Sequence, residues 1–426
     1  MDGIGSAKIT FIRFESGERY PIMCGTNGIP EWYPTLFATS RYRNSSKAPQ
    51  TAWAALGAIR RLLQWAERKG IDLVARFQRR NFLTSAELED LVESLCHLAT
   101  DDGPAEPRPK TSRASGLEGA RARAHKRGAK LNNQYIYSRL SYVAEYVRWL
   151  AIHLIEREAR SVDELTAEKI DEMSAELKER RPTIRRRAGS SAKKAQLSKE
   201  EAALLNIAQT DHADNPFAAL TANRNGLIIL MLNELGLRAG ELLAIKVPDI
   251  DFQAQEIVIE RRHHDHEDPR QYQPVVKTLD RRLPLSDELA SRLSCYVLSD
   301  RRQFHRARHH PMLFVSTRGS RSGRAGDPIS RQALTKVTSA LSAKLPRGCQ
   351  HVHPHIFRHN AATRFYRQLR EQDIPEERIE RLLEAKFGWA EGSGSARAYI
   401  ESEVQAEALK AQKEAQNAWR MNSHEP

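Results

Sequence analysis

Hydrophobic positions repeat along this chain first with a strand's alternation and then with a helix's three- and four-residue steps. The segment AKITFIRF, residues 7–14, is rich in β-branched and aromatic residues, and Gly17, Gly25, Gly28 and Pro30 punctuate the stretch after it. Residues 1–48 therefore read as an accessory segment of short strands and turns. From 49 to 178 the pattern is helical. Trp53, Leu56, Ile59, Leu63 and Ala66 share one face, and Gly70 is placed to stop that helix. Thr84 and Glu87 have the spacing of a capping box ahead of Leu88, Leu91, Val92 and Leu95. Leu140, Val143, Val147, Leu150 and Leu154 mark a third helix, and Ile170, Met173 and Leu177 a fourth. Four amphipathic helices of this kind predict a small bundle.

Residues 179–196, which are basic and contain Pro, Gly and Ser, read as an interdomain linker. Ser198 and Glu201 again have capping-box spacing and open a second, larger domain over 197–402. Its segment 223–235 is strongly apolar, which predicts a buried helix broken at Gly236. Three strand-like segments come next, EIVIE, PVVKTL and RRLPL, and then helices to the end. The last stretch, 403–426, consists of good helix formers. Its stripe of Val404, Leu409, Ala411, Ala415 and Trp419 is too sparse to anchor it firmly on its own core. The fold class expected is mainly α with a small β-sheet.

Charge sharpens this picture. The 426 residues hold 67 Lys and Arg against 54 Asp and Glu, a net charge of +13. Such an excess favours a polyanion, because neutralising phosphates releases counterions. Two basic stretches concentrate it: 107–130, with Arg121, Arg123, Lys126, Arg127 and Lys130, and 179–194, with Arg185, Arg186, Arg187, Lys193 and Lys194. Both contain loop-forming residues, and the second suits a linker laid along a phosphate backbone. Cys24, Cys96, Cys295 and Cys349 show no paired spacing, as expected of reduced structural thiols. No apolar run approaches the roughly eighteen residues of a membrane span, and the N-terminus lacks the build of a signal peptide. A cytoplasmic protein is expected.

Four patches of the second domain carry candidate chemistry. Arg238, in LGLRAGELLAIK, lies just past a glycine turn at the start of a helix, a setting that favours an anion. His355 and Arg358, in HPHIFRHNAATRF, stand three apart on one helical turn. A guanidinium forks onto two phosphate oxygens, and an imidazole moves a proton near neutrality. Lys277, in VVKTLDRRLPL, is placed on or beside a strand pair. Tyr399 follows Trp389 across a Gly/Ser-rich stretch that would leave it free to swing. Each patch alone has an ordinary structural explanation.

In this order, however, the patches resemble the tyrosine recombinase (phage integrase) family, over roughly Ser198 to Val404. Arg238 matches the family's G-L-R-x-x-E-L-L arginine, Lys277 its hairpin lysine, and His355, Arg358 and His359 its H-x-x-R-H box. Gly388 and Trp389 match its Gly-His/Trp site, and Tyr399 its nucleophile. Three departures are small: Trp389 replaces the commoner His, Phe357 the usual Leu, and the Trp389–Tyr399 interval is about one residue long. The resemblance implies a helical core-binding domain at 49–178 and a mixed α/β catalytic domain, closing as a C-shaped clamp around double-stranded DNA. It implies cleavage by Tyr399 with Arg238, Lys277, His355, Arg358 and Trp389 assisting, through a 3′-phosphotyrosyl link and a Holliday junction. No metal and no nucleotide cofactor is required, and integration, excision or transposition of a mobile element is the expected role. It further implies a homo-tetramer on synapsed DNA, with residues 403–426 exchanged between subunits, association with the prokaryotic nucleoid, and room for accessory recombination proteins.

The same residues admit competing readings. His263, His264, Asp265 and His266 fit a polar hairpin loop, and neither they nor His351, His353 and His355 offer the spacings of a helical metal site. A type IB topoisomerase shares the chemistry but not the small bundle with a G-L-R box. A regulator that only binds DNA would not need the whole catalytic set.

Overall fold

The computed structural model describes residues 7–45, 47–97, 130–159, 161–184, 198–262, 264–319, 323–345 and 352–422. The chain divides into two units, Met1–Arg186 and Arg187–Pro426. It is mainly helical, with one small antiparallel sheet in each unit.

In the first unit, β1 (Lys8–Arg13) and β2 (Arg19–Cys24) form a hairpin. Helices α1 (Trp32–Ala38), α2 (Pro49–Arg68), α3 (Leu73–Gln78), α4 (Ser85–Cys96), α5 (Asn133–Ala159) and α6 (Glu164–Glu179) complete it. The N-terminal segment is more than strands and turns, since α1 accommodates Pro34 within its first turn, where proline costs no hydrogen bond. Phe11 stacks on Trp53 at 5.1 Å, and Tyr20, Met23, Phe37 and Tyr42 share one core with the helices. The hairpin is thus part of the bundle's own packing. Gly70, with φ +67°, follows α2, and Thr84 and Glu87 cap α4 reciprocally.

The second unit is built on α8. After α7 (Ser198–Ile207), α8 (Ala219–Leu235) is buried on nearly all sides from Ala222 to Leu235 and ends on left-handed Gly236. Short α9 (Ala239–Ala244) leads into a sheet of order β3 (Ile250–Asp251), β4 (Glu256–Ile259) and β5 (Arg281–Pro284). Helices α10 (Asp287–Cys295), α11 (Arg331–Ser342), α12 (Pro354–Glu371), α13 (Glu376–Phe387) and α14 (Ser395–Asn422) complete the unit.

Two sequence expectations are corrected here. PVVKTL is not a strand, because its polar backbone is committed elsewhere: the Leu279 N–H donates to the Gly388 carbonyl at 3.0 Å. Val275 lies so close to Gly240 that a Cβ there would meet its carbonyl oxygen at 2.3 Å. The segment is a loop wedged between α9 and the end of α13. Residues beyond 402, in turn, do not begin a new helix, since α14 runs unbroken from Ser395 and carries Tyr399 itself. No described helix is long and apolar enough to cross a membrane.

Candidate active site

At the centre of the second unit is a carboxylate. Glu241 is the third residue of α9, and its side chain is 0% exposed. Its Oε2 accepts the Arg238 backbone N–H at 3.0 Å, Arg281 Nη2 at 2.8 Å and Arg358 Nη1 at 3.5 Å. Its Oε1 accepts the Thr278 hydroxyl at 2.7 Å and Arg238 Nη1 at 3.5 Å. Burial is the largest influence on this carboxyl and pushes its pKa up. Arg281 and Arg358, with the bonds from Arg281 and Thr278, outweigh it and hold the group below the usual value. Burying an unpaired carboxylate costs several kcal/mol, about what such partners must recover. Three guanidiniums converge on one carboxylate, so the cluster is net cationic and suited to a further anion.

Arg358, on α12, is 1% exposed. Its Nη1 donates to the Gly236 carbonyl at 3.0 Å and its Nη2 to the Phe387 carbonyl at 2.5 Å. Its guanidinium lies 5.0 Å from the Phe387 ring centre and 5.3 Å from that of Trp389. Burial drags its pKa down to about 9, and Glu241 works against that; the group remains a cation at neutral pH. Gly236 is required where α8 meets this arginine's helix, since a Cβ would stand 2.6 Å from Phe387 and 2.9 Å from Ala361. Arg238 sits at the cap of α9 with its side chain 34% exposed, so it is the arginine open to a ligand. Because α9 spans only 6 residues, the cationic side chains provide most of the positive field here, the helix end little.

Helix α13 ends on left-handed Gly388, and Trp389 turns back so that its N–H bonds the Glu384 carbonyl at 3.0 Å. The indole stacks on Phe387 on one side (5.1 Å) and on Tyr399 on the other (5.2 Å, 17° between planes). Tyr399 is half-buried in the second turn of α14, with the His359 ring 4.9 Å away. Burial raises the phenol's pKa above its ordinary value; Arg358 and Arg238 pull it back only in part.

Arg238, Arg358, Trp389 and Tyr399 are therefore brought together. Lys277 and His355 stand at the rim. Lys277 is exposed and makes no hydrogen bond or ion pair among the described residues, although its neighbours Val276 and Thr278 are buried. His355 is exposed on the first turn of α12 beside His353, at 6.3 Å, while Arg358 one turn on is buried. The imidazole against the tyrosine is that of His359. Tyr366, the next tyrosine in α12, is 0% exposed with its hydroxyl enclosed, and is a core residue.

Sequence reasoning passed over Glu241 and Arg281. Both carried a signal: Glu241 stands three residues after Arg238, the spacing of a reciprocal cap, and Arg281 shares by alternation the inner face of Leu283. In the His264–His266 loop, Lys246 binds Asp265 at 3.0 Å and Glu267 at 2.6 Å, which ties the hairpin down. No group of three or more metal-ligating side chains occurs among the described residues. Of the basic candidates, Lys130 is exposed and bridges His97. Arg121, Arg123, Lys126, Arg127, Arg185, Arg186, Arg187, Lys193 and Lys194 lie outside the described residues.

A helical domain with a three-stranded sheet, holding paired arginines beneath a tyrosine, defines a class of anion-handling site with a phenol at its edge. The phage integrase family model matches residues 197–404, and this domain belongs to that family, the tyrosine recombinases. Among solved structures the chain is similar to XerH site-specific recombinase bound to palindromic difH substrate, at 13% identity. That alignment covers 91% of this chain and 94% of the other, with a TM-score of 0.43. XerA recombinase gives 15% identity, 89% and 97% coverage and 0.35. The Tn1549 transposon integrase in complex with transposon right end DNA gives 17%, 68% and 97%, and 0.33. No curated protein matches the chain.

Proposed function

We propose that this chain cuts and rejoins double-stranded DNA at a specific site through Tyr399, as a recombinase of a mobile genetic element that integrates, excises or transposes it. The observation that carries this reading is the stacking of Tyr399 on Trp389, which itself covers Arg358 in the Glu241-centred cluster. Attack of the phenolate on a phosphodiester builds negative charge on the non-bridging oxygens. Arg238 and Arg358 neutralise it, and the Trp389 indole N–H adds a neutral donor. Because burial raises the Tyr399 pKa, the phenol needs a base during attack, and His355 takes its proton. Lys277 protonates the departing 5′-oxygen. The products are a 3′-phosphotyrosyl link and a free 5′-hydroxyl, which keep the bond energy for ligation without ATP. Two such rounds pass through a Holliday junction. Lys277 and His355 stand at the rim, where the scissile phosphate completes the set.

The basic stretches and Lys130 bind phosphates along the duplex, and both units contact DNA. Synapsis joins four copies. The exposed far half of α14, with Leu409 52% and Trp419 72% exposed, docks on a neighbouring subunit. Inverted repeats at the ends of the element that carries the gene are the substrates to try. On a nicked duplex of that sequence the chain should form a covalent protein–DNA adduct at the same rate with excess EDTA as without. Loss of the adduct on chelation, restored by magnesium or zinc, would count against arginines carrying the phosphate's charge.

A further inference from the structure

We propose that Arg281 is a positioning residue of this site: it pins the loop that carries Lys277 to Glu241 and to the turn before Trp389, and so sets where the Lys277 ammonium meets the departing oxygen. The inference rests on the reading of Lys277 as the acid. Arg281 stands on β5, four residues after Lys277, with its side chain 5% exposed. Each arm of its guanidinium reaches a different element. Nε donates to the Lys386 carbonyl at the end of α13 (2.8 Å), Nη1 to the Thr278 hydroxyl (3.2 Å), and Nη2 to Glu241 (2.8 Å). The Thr278 hydroxyl donates in turn to the other Glu241 oxygen at 2.7 Å, so the residue next to Lys277 is held from two sides. The backbone adds the Leu279-to-Gly388 bond of 3.0 Å.

This is more than packing requires. An apolar side chain on the inner face beside Leu283 would fill the space without burying a charge, often at no loss of stability. What an apolar residue cannot do is tie three backbone segments into one geometry. Lys277 is exposed and makes no bond of its own among the described residues, so its position depends on the loop beneath it. In the step concerned, the Tyr399 oxygen–phosphorus bond forms as the bond from phosphorus to the 5′-oxygen breaks, and the Lys277 ammonium gives that oxygen its proton.

Single-turnover cleavage of two nicked duplexes tests this, one with the natural 5′-bridging oxygen and one with sulfur there. A thiol has a pKa of about 8.5, so sulfur leaves as thiolate without a donated proton. Arg281→Met should cleave the oxygen substrate on the order of 100-fold slower than the parent, as expected for an acid misplaced by about 1 Å. On the sulfur substrate it should recover to within a few-fold, with DNA affinity unchanged. Lys277→Met should show the same recovery. Thr278→Val, a gentler change, should show a smaller defect with the same recovery, and decides the matter if Arg281→Met does not fold. A defect equal on both substrates, or none on either, overturns the proposal. If Lys277→Met recovers and Arg281→Met and Thr278→Val do not, the role of Arg281 alone fails. If Lys277→Met does not recover although the parent cleaves, the lysine's assignment falls and takes this proposal with it.

Discussion

The Glu241 side chain is 0% exposed, so the guanidiniums, the Thr278 hydroxyl and the Arg238 backbone N–H around it stand in for solvent. Glu241→Gln keeps the shape and removes the charge, leaving Arg281 and Arg358 buried beside a neutral amide. Breaking a buried pair from one side costs about 3–5 kcal/mol, which urea unfolding at pH 7 would read directly. The pH dependence has a fixed sign. Because the folded carboxyl is held below its ordinary value, its stabilisation is complete above the unfolded pKa of about 4.3 and is lost as pH falls through the folded one. Parent and variant should therefore converge in stability on the acid side. A variant as stable as the parent at pH 7 would show that the carboxylate does not hold the cluster. At this scale the six candidates stood out as patterns of residue type, and the structure brings four of them together, Arg238, Arg358, Trp389 and Tyr399; Glu241 and Arg281, which bond into that cluster, did not stand out. A charged residue reads as solvent-facing unless its partner is known, and here the partners are far away in sequence. Glu241 meets Arg281 across 40 positions and Arg358 across 117.

Among the elements, the 276–280 loop crosses the end of α13 at close quarters. Gly388 takes φ +61°, and a Cβ on it would stand 2.8 Å from Arg281 Nη1, 2.8 Å from the Leu279 carbonyl and 3.0 Å from Thr278. Gly392 is equally left-handed at φ +69° but has nothing within 4 Å. Gly392→Ala should cost only the backbone strain, about 1 kcal/mol, with cleavage nearly intact. Gly388→Ala should cost more in thermal unfolding and also slow cleavage, because the loop bearing Lys277 must give way. Equal behaviour of the two variants would mean that the crossing does not set the site's geometry. The helices here were plain in the sequence, since three- and four-residue periodicity and caps such as Thr84 are local signals. The PVVKTL loop was not, because its alternation suits a strand and only the distant backbone at Gly240 and Gly388 forbids one. Nor did the Gly/Ser-rich stretch reveal that Tyr399 stands within a helix that starts at Ser395.

For the molecule as a whole, α14 joins Tyr399 to a surface that the second unit leaves uncovered. Its near half is held in place, with Arg367 bonded to Glu403 at 2.9 Å and Arg370 to Glu407, whereas Leu409 and Trp419 stand exposed. Truncation after Glu407 spares those pairs and should leave a protein that binds a single DNA site but does not assemble four subunits on two. Light scattering of the DNA complexes reads the difference, and a truncated protein that still forms the tetramer removes the docking role. In the proposed function, strand exchange depends on one oxygen atom, the phenolic oxygen of Tyr399. The most direct measurement is to trap the adduct on a nicked duplex, digest it, and locate the nucleotide-bearing peptide by mass spectrometry, with Tyr399→Phe run in parallel. The account predicts a 3′-phosphonucleotide on Tyr399 in the parent, and no adduct from a variant that binds DNA as before. An adduct mapped to another residue, or formed in normal yield by Tyr399→Phe, would contradict it.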